Sequence, residues 1–255
     1  MGFFVLGTFI PWYGLCIATG MVCAFLLGFF LCKHARISFD NFILIGAYLF
    51  AFGFAGAKIL YIIVSWKEIN FSIAFQNLES FNEFIGSGFV FYGGLIGGLA
   101  GLLFIKKIHH IELKTYVSIL APCLSLAHAF GRIGCSLAGC CYGCETTGSF
   151  CFEYTESLAA PNGVKLFPVQ GIESACLFLL TLVLVIMFFK NSECRTFLVY
   201  AAAYSVIRFI LEFFRGDAGR GSLWIFSTSQ IISMIVFICA AGYLVFKFIK
   251  NKKKA

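Results

Sequence analysis

Charge is scarce in this 255-residue chain: Asp, Glu, Lys and Arg together make up 12% of it, where soluble domains carry about 25%. Apolar residues make up 60% and the mean hydropathy is +0.93, which rules out an ordinary soluble domain. No basic segment precedes the first apolar run, so no cleavable signal peptide is expected and that run is expected to remain as a helix. Internal repeats are missing, and the lysine tail is the one low-complexity stretch. Nor does a second C-x-x-C accompany Cys141 and Cys144, so no four-ligand zinc site is spelled out and no metal ligands are assigned. The formal net charge of +7 does not imply a nucleic-acid partner. Its lysines gather at segment ends and in Lys247–Lys254, beside the last apolar run, as a juxtamembrane anchor against anionic lipid would.

What is present is a series of long hydrophobic segments, at about 11–31, 41–64, 86–105, 115–138, 172–189, 196–214 and 227–249. They predict an all-α integral membrane protein of about seven transmembrane helices, a single bundle over residues 1–255. An outer loop at about 139–171 and a basic cytoplasmic tail at 247–255 complete it. Loops of that length in a compact bundle tend to be functional. One set of connections (Lys33, Arg36, Lys106, Lys107, Lys114, Lys190, Arg195 and the C-terminal lysines) holds twelve cations. The other holds four, Lys67, Lys165, Arg215 and Arg220. The positive-inside rule therefore puts the N-terminus outside and the C-terminus in the cytoplasm.

Three cations remain, Lys58, Arg132 and Arg208, all within predicted spans. An arginine facing hydrocarbon costs at least about 2.5–3.5 kcal/mol, so one that is kept faces a polar cavity. Arg132 and Arg208 fall toward the outer side, and Lys58 lies in the outer half of its own span. On a continuous helix Arg208, Glu212 and Arg215 share a stripe at i, i+4 and i+7. Two guanidiniums around one carboxylate would leave a net positive, forked donor set suited to phosphate; the plainer alternative is a structural ion pair. His128 stands at i−4 from Arg132, as a general base or as a hydrogen-bonded packing residue. Gly131 and Gly134 flank Arg132 and let the backbone approach a ligand or another helix.

Gly93, Gly97 and Gly101 recur at four-residue spacing, a pattern for close helix packing, while the Tyr92 hydroxyl is placed to reach the outer cavity. Of the twelve cysteines, those lying singly in spans read as small apolar filler. Cys135, Cys140, Cys141, Cys144 and Cys151 form a cluster open to several readings: disulfides, structural thiols, a metal site or a redox pair.

These segments resemble the prolipoprotein diacylglyceryl transferases of bacterial plasma membranes, along most of the chain. Trp12-Tyr13-Gly14-Leu15 resembles the family's W-Y-G-L, Gly56-Ala57-Lys58 its G-A-R, and Gly93-Gly94-Leu95-Ile96-Gly97 its H-G-G-L-x-G. Gly131-Arg132-Ile133-Gly134 matches the start of G-R-x-G-N-F-x-N-x-E. Pro168-Val169-Gln170 with Glu173 is similar to P-x-Q-L-Y-E. Arg208, Glu212 and Arg215 match R-F-x-x-E-x-x-R. Where the family has two asparagines and a glutamate after G-R-x-G, this chain has Cys135, Ala138 and Cys140. Tyr92 and Phe167 stand where it has histidines.

The resemblance implies a multi-pass plasma-membrane enzyme that needs no cofactor. Its activity would be transfer of diacylglycerol from phosphatidylglycerol to the lipobox cysteine thiol of a prolipoprotein, releasing glycerol phosphate. Arg132, Arg208, Tyr92 and His128 are then the expected catalytic residues. Tyr13, Lys58, Gly93, Gly94, Gly131, Gly134, Glu212 and Arg215 are the expected substrate-binding ones. Between Tyr92 and His128 the imidazole is the better base, since a phenol near pKa 10 is a poor one at neutral pH. Two rivals come from other classes: a phospholipid-binding or transport protein without the transferase chemistry, and a thiol redox or metal membrane protein centred on the cysteine cluster.

Overall fold

The computed structural model describes residues 2–5, 8–67, 69–190, 196–217, 222–223 and 226–252. Arg195, Arg220, Lys253 and Lys254, four of the cations counted for orientation, lie outside the described residues. The chain was expected to form one bundle; its contacts divide it into two compact units, residues 36–113 and residues 1–35 with 114–255.

In the unit formed by residues 36–113, helix α1 (Phe39–Val64) packs along α4 (Phe91–His109), and the short α2 (Phe71–Ala74) and α3 (Leu78–Gly86) lie between them in sequence. Ser38 caps α1 by accepting from the Asn41 backbone N–H, and Asp40 adds a favourable charge in the first turn. The α1–α4 seam is nearly all backbone. A Cβ on Gly56 would stand 2.9 Å from the Gly97 Cα, and one on Gly97 would run into the Phe52 carbonyl. The four-residue glycine spacing therefore does what packing predicted of it. Farther along, Tyr48 stacks on Phe52, Phe104 packs tilted against both, and the Tyr48 hydroxyl lies 3.1 Å from the His109 ring nitrogen. Lys106, Lys107 and His109 complement the negative end of the α4 dipole, and His110 stops the helix in a left-handed conformation.

The larger unit holds α5 (Trp12–Ala35), α6 (Leu113–Ala138), α7 (Val169–Lys190), α8 (Thr196–Glu212) and α9 (Thr228–Lys252). Its interior carries hydroxyl groups that bond one helix to another. Ser125 donates to the Leu177 carbonyl, Ser174 to Ala129 and Thr196 to Ser118, all between helices at 2.9–3.0 Å. Around these bonds pack Ala121, Ala129, Leu177, Leu180, Leu184 and Tyr200. Other large apolar side chains point outward: Met21, Val22, Leu179 and Leu182 are all more than half exposed. Polar groups paired inside and apolar groups outside is the arrangement that hydrocarbon favours.

Among the described residues, five helices are long and apolar enough to cross a membrane: Trp12–Ala35, Phe39–Val64, Leu113–Ala138, Val169–Lys190 and the Thr228–Lys247 part of α9. Helices also stand at the two other predicted segments, Phe91–His109 and the shorter Thr196–Glu212. The chain is mostly helical, but the connections carry small antiparallel hairpins that the all-α expectation left out. They are Gly2–Val5 with Thr8–Pro11, Phe152–Glu153 with Lys165–Leu166, and Ser222–Leu223 with Phe226–Ser227. Outside the helices, backbone N–H and C=O groups still need partners, and pairing the strands supplies them.

The connection after α6 is ordered by its own small core of Tyr154, Ala160 and Leu166. Asn162 clamps the Ser157 backbone from both sides, and the Tyr154 hydroxyl donates to the Ser136 carbonyl at 2.9 Å. The same connection is stitched to the end of α8. The Cys144 N–H donates to the Phe214 carbonyl and the Gly216 N–H to Tyr142.

Candidate functional site

One carboxylate organises the charges of the larger unit, and it is Glu173. Helix α7 starts just after Pro168, and Gln170, Glu173, Ser174, Leu177, Leu180, Thr181 and Leu184 recur three or four residues apart, so they share its buried face. Glu173 is fully buried. Its Oε1 accepts from the Tyr204 hydroxyl at 3.0 Å and faces Arg132 Nη2 at 3.0 Å. Its Oε2 stands 4.0 Å from Arg208 Nη1. Arg208 also reaches Glu212 at 2.7 Å and donates to the Ser229 hydroxyl of α9 at 3.3 Å. Three helices, α6, α7 and α8, thus meet around two guanidiniums and two carboxylates, with α9 joining through Ser229.

The structure brings Arg132 and Arg208 together, as their shared side of the membrane suggested. It changes the charge count. Arg215 does not continue the Arg208–Glu212 stripe along the helix as expected, because α8 ends at Glu212 and the i+7 register stops with it. Arg215 instead lies beyond the helix and makes a two-pronged pair with Asp217, both contacts at 3.0 Å. With Glu173 added, the buried cluster is balanced rather than net positive. Hydrogen-bonding capacity is nevertheless left over on both sides: among the described residues, Arg132 Nε, Arg208 Nη1 and Glu173 Oε2 are buried with no hydrogen-bond partner. A buried polar atom left in that state costs about 1–3 kcal/mol, so the two guanidinium nitrogens can still take an acceptor.

The other expected residues fall as follows. The His128 ring packs edge-on against Tyr204, 4.9 Å between centroids, and Tyr204 in turn stacks on Tyr200. A Cβ on Gly131 would meet nothing within 4 Å, so that glycine leaves open space beside Arg132. Gly134 is different: a Cβ there would press on Tyr13 and Cys16 of α5, so it serves helix packing. Tyr13 is about two-fifths exposed and lies within electrostatic reach of Arg132 and of Cys135, Cys140 and Cys141.

Lys58, Tyr92, Gly93 and Gly94 belong to residues 36–113. There the Lys58 ammonium donates to the carbonyls of Phe84 and Ser87 and sits 4.0 Å from the centre of the Phe84 ring. Gly93 is pressed on the Gly56 backbone, while Tyr92 opens α4 and is partly exposed.

Glu173 is the site residue that sequence reasoning quoted in a motif and left without a role. Its signal was legible, since a carboxylate near the start of an apolar helix needs a partner as much as an arginine does. Tyr204, Ser229 and Asp217 carried no such signal.

The cysteines cluster too. The sulfurs of Cys135, Cys140 and Cys141 all lie within 4.8 Å of one another. Gln170, buried on α7, donates to the Cys140 carbonyl at 3.0 Å and holds the turn in place. Hydrogen bonds from the Cys135 and Cys140 thiols push the Cys141 thiol well below its usual range, and the nearby Arg215 and Arg132 charges act the same way against the opposing effect of burial.

Comparison with known proteins finds relatives along nearly the whole chain. Residues 2–246 match the family model described as prolipoprotein diacylglyceryl transferase. A phosphatidylglycerol–prolipoprotein diacylglyceryl transferase 2 of Clostridium perfringens is 39% identical over 243 residues, covering 94% of this chain and 91% of the relative. The Clostridium tetani phosphatidylglycerol–prolipoprotein diacylglyceryl transferase is 35% identical over 243 residues, 95% and 94% of the two chains. The Clostridioides difficile one is 30% identical over 259 residues, covering all of this chain and 96% of the relative. The chain belongs to the prolipoprotein diacylglyceryl transferase family.

Proposed function

We propose that this protein transfers the diacylglyceryl group of phosphatidylglycerol to the lipobox cysteine thiol of prolipoproteins, in the plasma membrane of a bacterium. The relatives' names supply the substrates. The observation that carries the reading is the buried pair Arg132 and Arg208 on one carboxylate, with donors to spare at Arg132 Nε and Arg208 Nη1. A lipid phosphate is an acceptor of the right charge and geometry for those donors. In the reaction a sulfur–carbon bond forms on the diacylglyceryl group, the carbon–oxygen bond to glycerol phosphate breaks, and the thiol proton goes to a base.

Negative charge grows on the departing phosphate, and preorganised guanidiniums stabilise it without having to reorient. Glu173 holds both arginines in place; Tyr204 and Glu212 steady the two ends of that network. His128, one turn before Arg132, takes the proton, while the open space at Gly131 admits the substrate beside the guanidinium. The apolar segments act as seven spans, with the N-terminus outside and the basic tail in the cytoplasm, as the distribution of lysine and arginine supports.

The test is incubation of the purified protein with phosphatidylglycerol and a lipobox peptide, read by mass spectrometry. A peptide heavier by one diacylglyceryl group, with glycerol phosphate released in equal amount, is the expected result. Arg132→Ala and Arg208→Ala should each reduce the rate by about 10²–10³-fold. No adduct from the parent protein, under conditions where an established relative makes it, overturns the reading. Lipid binding without an adduct would place the protein among phospholipid binders instead.

A further inference from the structure

We propose that Cys135, Cys140 and Cys141 form a binding site for a thiophilic closed-shell metal ion, with Zn²⁺ as its reference occupant. Three thiols converge here from two different pieces of backbone. Cys135 projects from the last turns of α6, and Cys140 and Cys141 follow the end of that helix. Gly139 and Cys141 both adopt left-handed backbone, at φ 73° and 59°. A side chain at position 139 would collide with the Ser157 hydroxyl, so only glycine fits that step. For cysteine the left-handed conformation is unfavourable by about 1–3 kcal/mol, and such strain is retained where the surroundings use it. Its effect is to turn two consecutive cysteines back toward Cys135.

The spacing suits an ion. Zinc–sulfur bonds of about 2.3 Å place three thiolates about 3.8–4.0 Å apart in tetrahedral or trigonal geometry. The sulfurs already stand within 4.8 Å of one another, so closing on an ion takes small side-chain movements. A disulfide would use two of the three and leave the third beside it, whereas an ion uses all three. Charge fits as well. Binding displaces the protons that the thiols still carry and leaves one ion with three thiolates, a net single negative charge. Arg132 and Arg215 are the cations whose fields reach Cys141.

The fourth coordination position is left to water, as in zinc sites with three protein ligands. Occupancy would staple the end of α6 to a turn that Gln170 of α7 and the strand-like pairing of Gly143 with Arg215 already hold.

The experiment uses the full-length protein purified without oxygen, with no transferase assay, so its outcome is independent of the proposed reaction. The chain is loaded with Zn²⁺, dialysed and analysed for bound metal, then titrated with Cd²⁺ while the thiolate-to-metal absorption is recorded. A single tightly held ion per chain is expected, with the absorption band saturating at the same ratio. Cys135→Ser, Cys140→Ser and Cys141→Ser should each lose it, and Cys151→Ser should keep it. Should those three variants fold poorly, the parent protein decides. Zn²⁺ should slow alkylation of Cys135, Cys140 and Cys141 by about tenfold, mapped by peptide mass spectrometry, while leaving Cys151 unchanged. Metal that stays bound in folded Cys141→Ser, equal alkylation with and without Zn²⁺, or a disulfide among the three in the oxygen-free protein overturns the proposal.

Discussion

The α1–α4 pair is held backbone against backbone, whereas α6, α7 and α8 are held by side chains that carry hydrogen bonds and charge. At the first seam, Gly56, Gly93 and Gly97 bring main chains into contact, and a single methyl group has no room. At the second, Ser125, Ser174 and Thr196 bridge helices, and Glu173 gathers Arg132, Arg208 and Tyr204. Lipid gives little hydrophobic gain from joining two apolar helices, so packing and polar bonds must hold them together. A glycine seam supplies the first and is chemically inert. A polar seam supplies the second, and its charges are then available for chemistry.

The contrast can be broken from either side. Glu173→Ala leaves Arg132 buried without its carboxylate and Arg208 with Glu212 alone, and should lower stability by about 3–5 kcal/mol. Thermal unfolding in detergent reads this, and a melt unchanged from the parent would show that Glu173 does not organise the cluster. Glu173→Gln, which keeps the shape and an acceptor oxygen, should lose less. Gly97→Leu drives a side chain into the Phe52 backbone and should lower stability by about 1–3 kcal/mol while leaving the arginine cluster's composition untouched. If it unfolds no more readily than Gly98→Leu, where a Cβ meets only a side-chain methyl at 3.6 Å, the seam is not close-packed.

A third test sharpens the difference through pH. Cys141 has its folded-state thiol pushed down, so its thiolate persists as pH falls below the usual thiol range of about 8.5 and is lost only further down. Any stability tied to that thiolate follows the same sign: it is present above the unfolded value and disappears as pH drops through the folded one. Alkylation of Cys141 at pH 6.5 should therefore be faster in the folded, metal-free protein than in the unfolded chain. Equal or slower labelling would count against the hydrogen bonds from Cys135 and Cys140. The smallest effect is Ser174→Ala, which removes one bond to the Ala129 carbonyl and should cost about 0.6 kcal/mol, near the average for interhelical bonds in a membrane protein. A loss several times larger would mean that Ser174 also positions its neighbour Glu173.

Several of these features were legible in the chain itself. The apolar segments at about 41–64 and 115–138 correspond to Phe39–Val64 and Leu113–Ala138, because membrane length and helix rise together set the number of residues needed. The glycine spacing announced a close helix contact, and Arg132 and Arg208 announced a polar cluster. Arg215 was misplaced for a specific reason: i+7 alignment holds only while the helix continues, and α8 stops at Glu212. The small hairpins were missed because strands of two to four residues have too few positions to show a clear alternation.

From its sequence alone this chain is a helical membrane protein with glycine-lined packing and charges too costly to face lipid. Local chemistry determines that much, because each apolar segment, each glycine and each buried arginine carries its meaning wherever the chain goes. Only the tertiary structure decided which carboxylate answers the arginines and which cysteines meet. Glu173 reaches Arg132 and Arg208 from a different helix, and Cys135 meets Cys140 and Cys141 through a left-handed turn. Spacing along one helix specifies neighbours at i+3 and i+4; partners across helices follow from how the helices pack, and no local period encodes that.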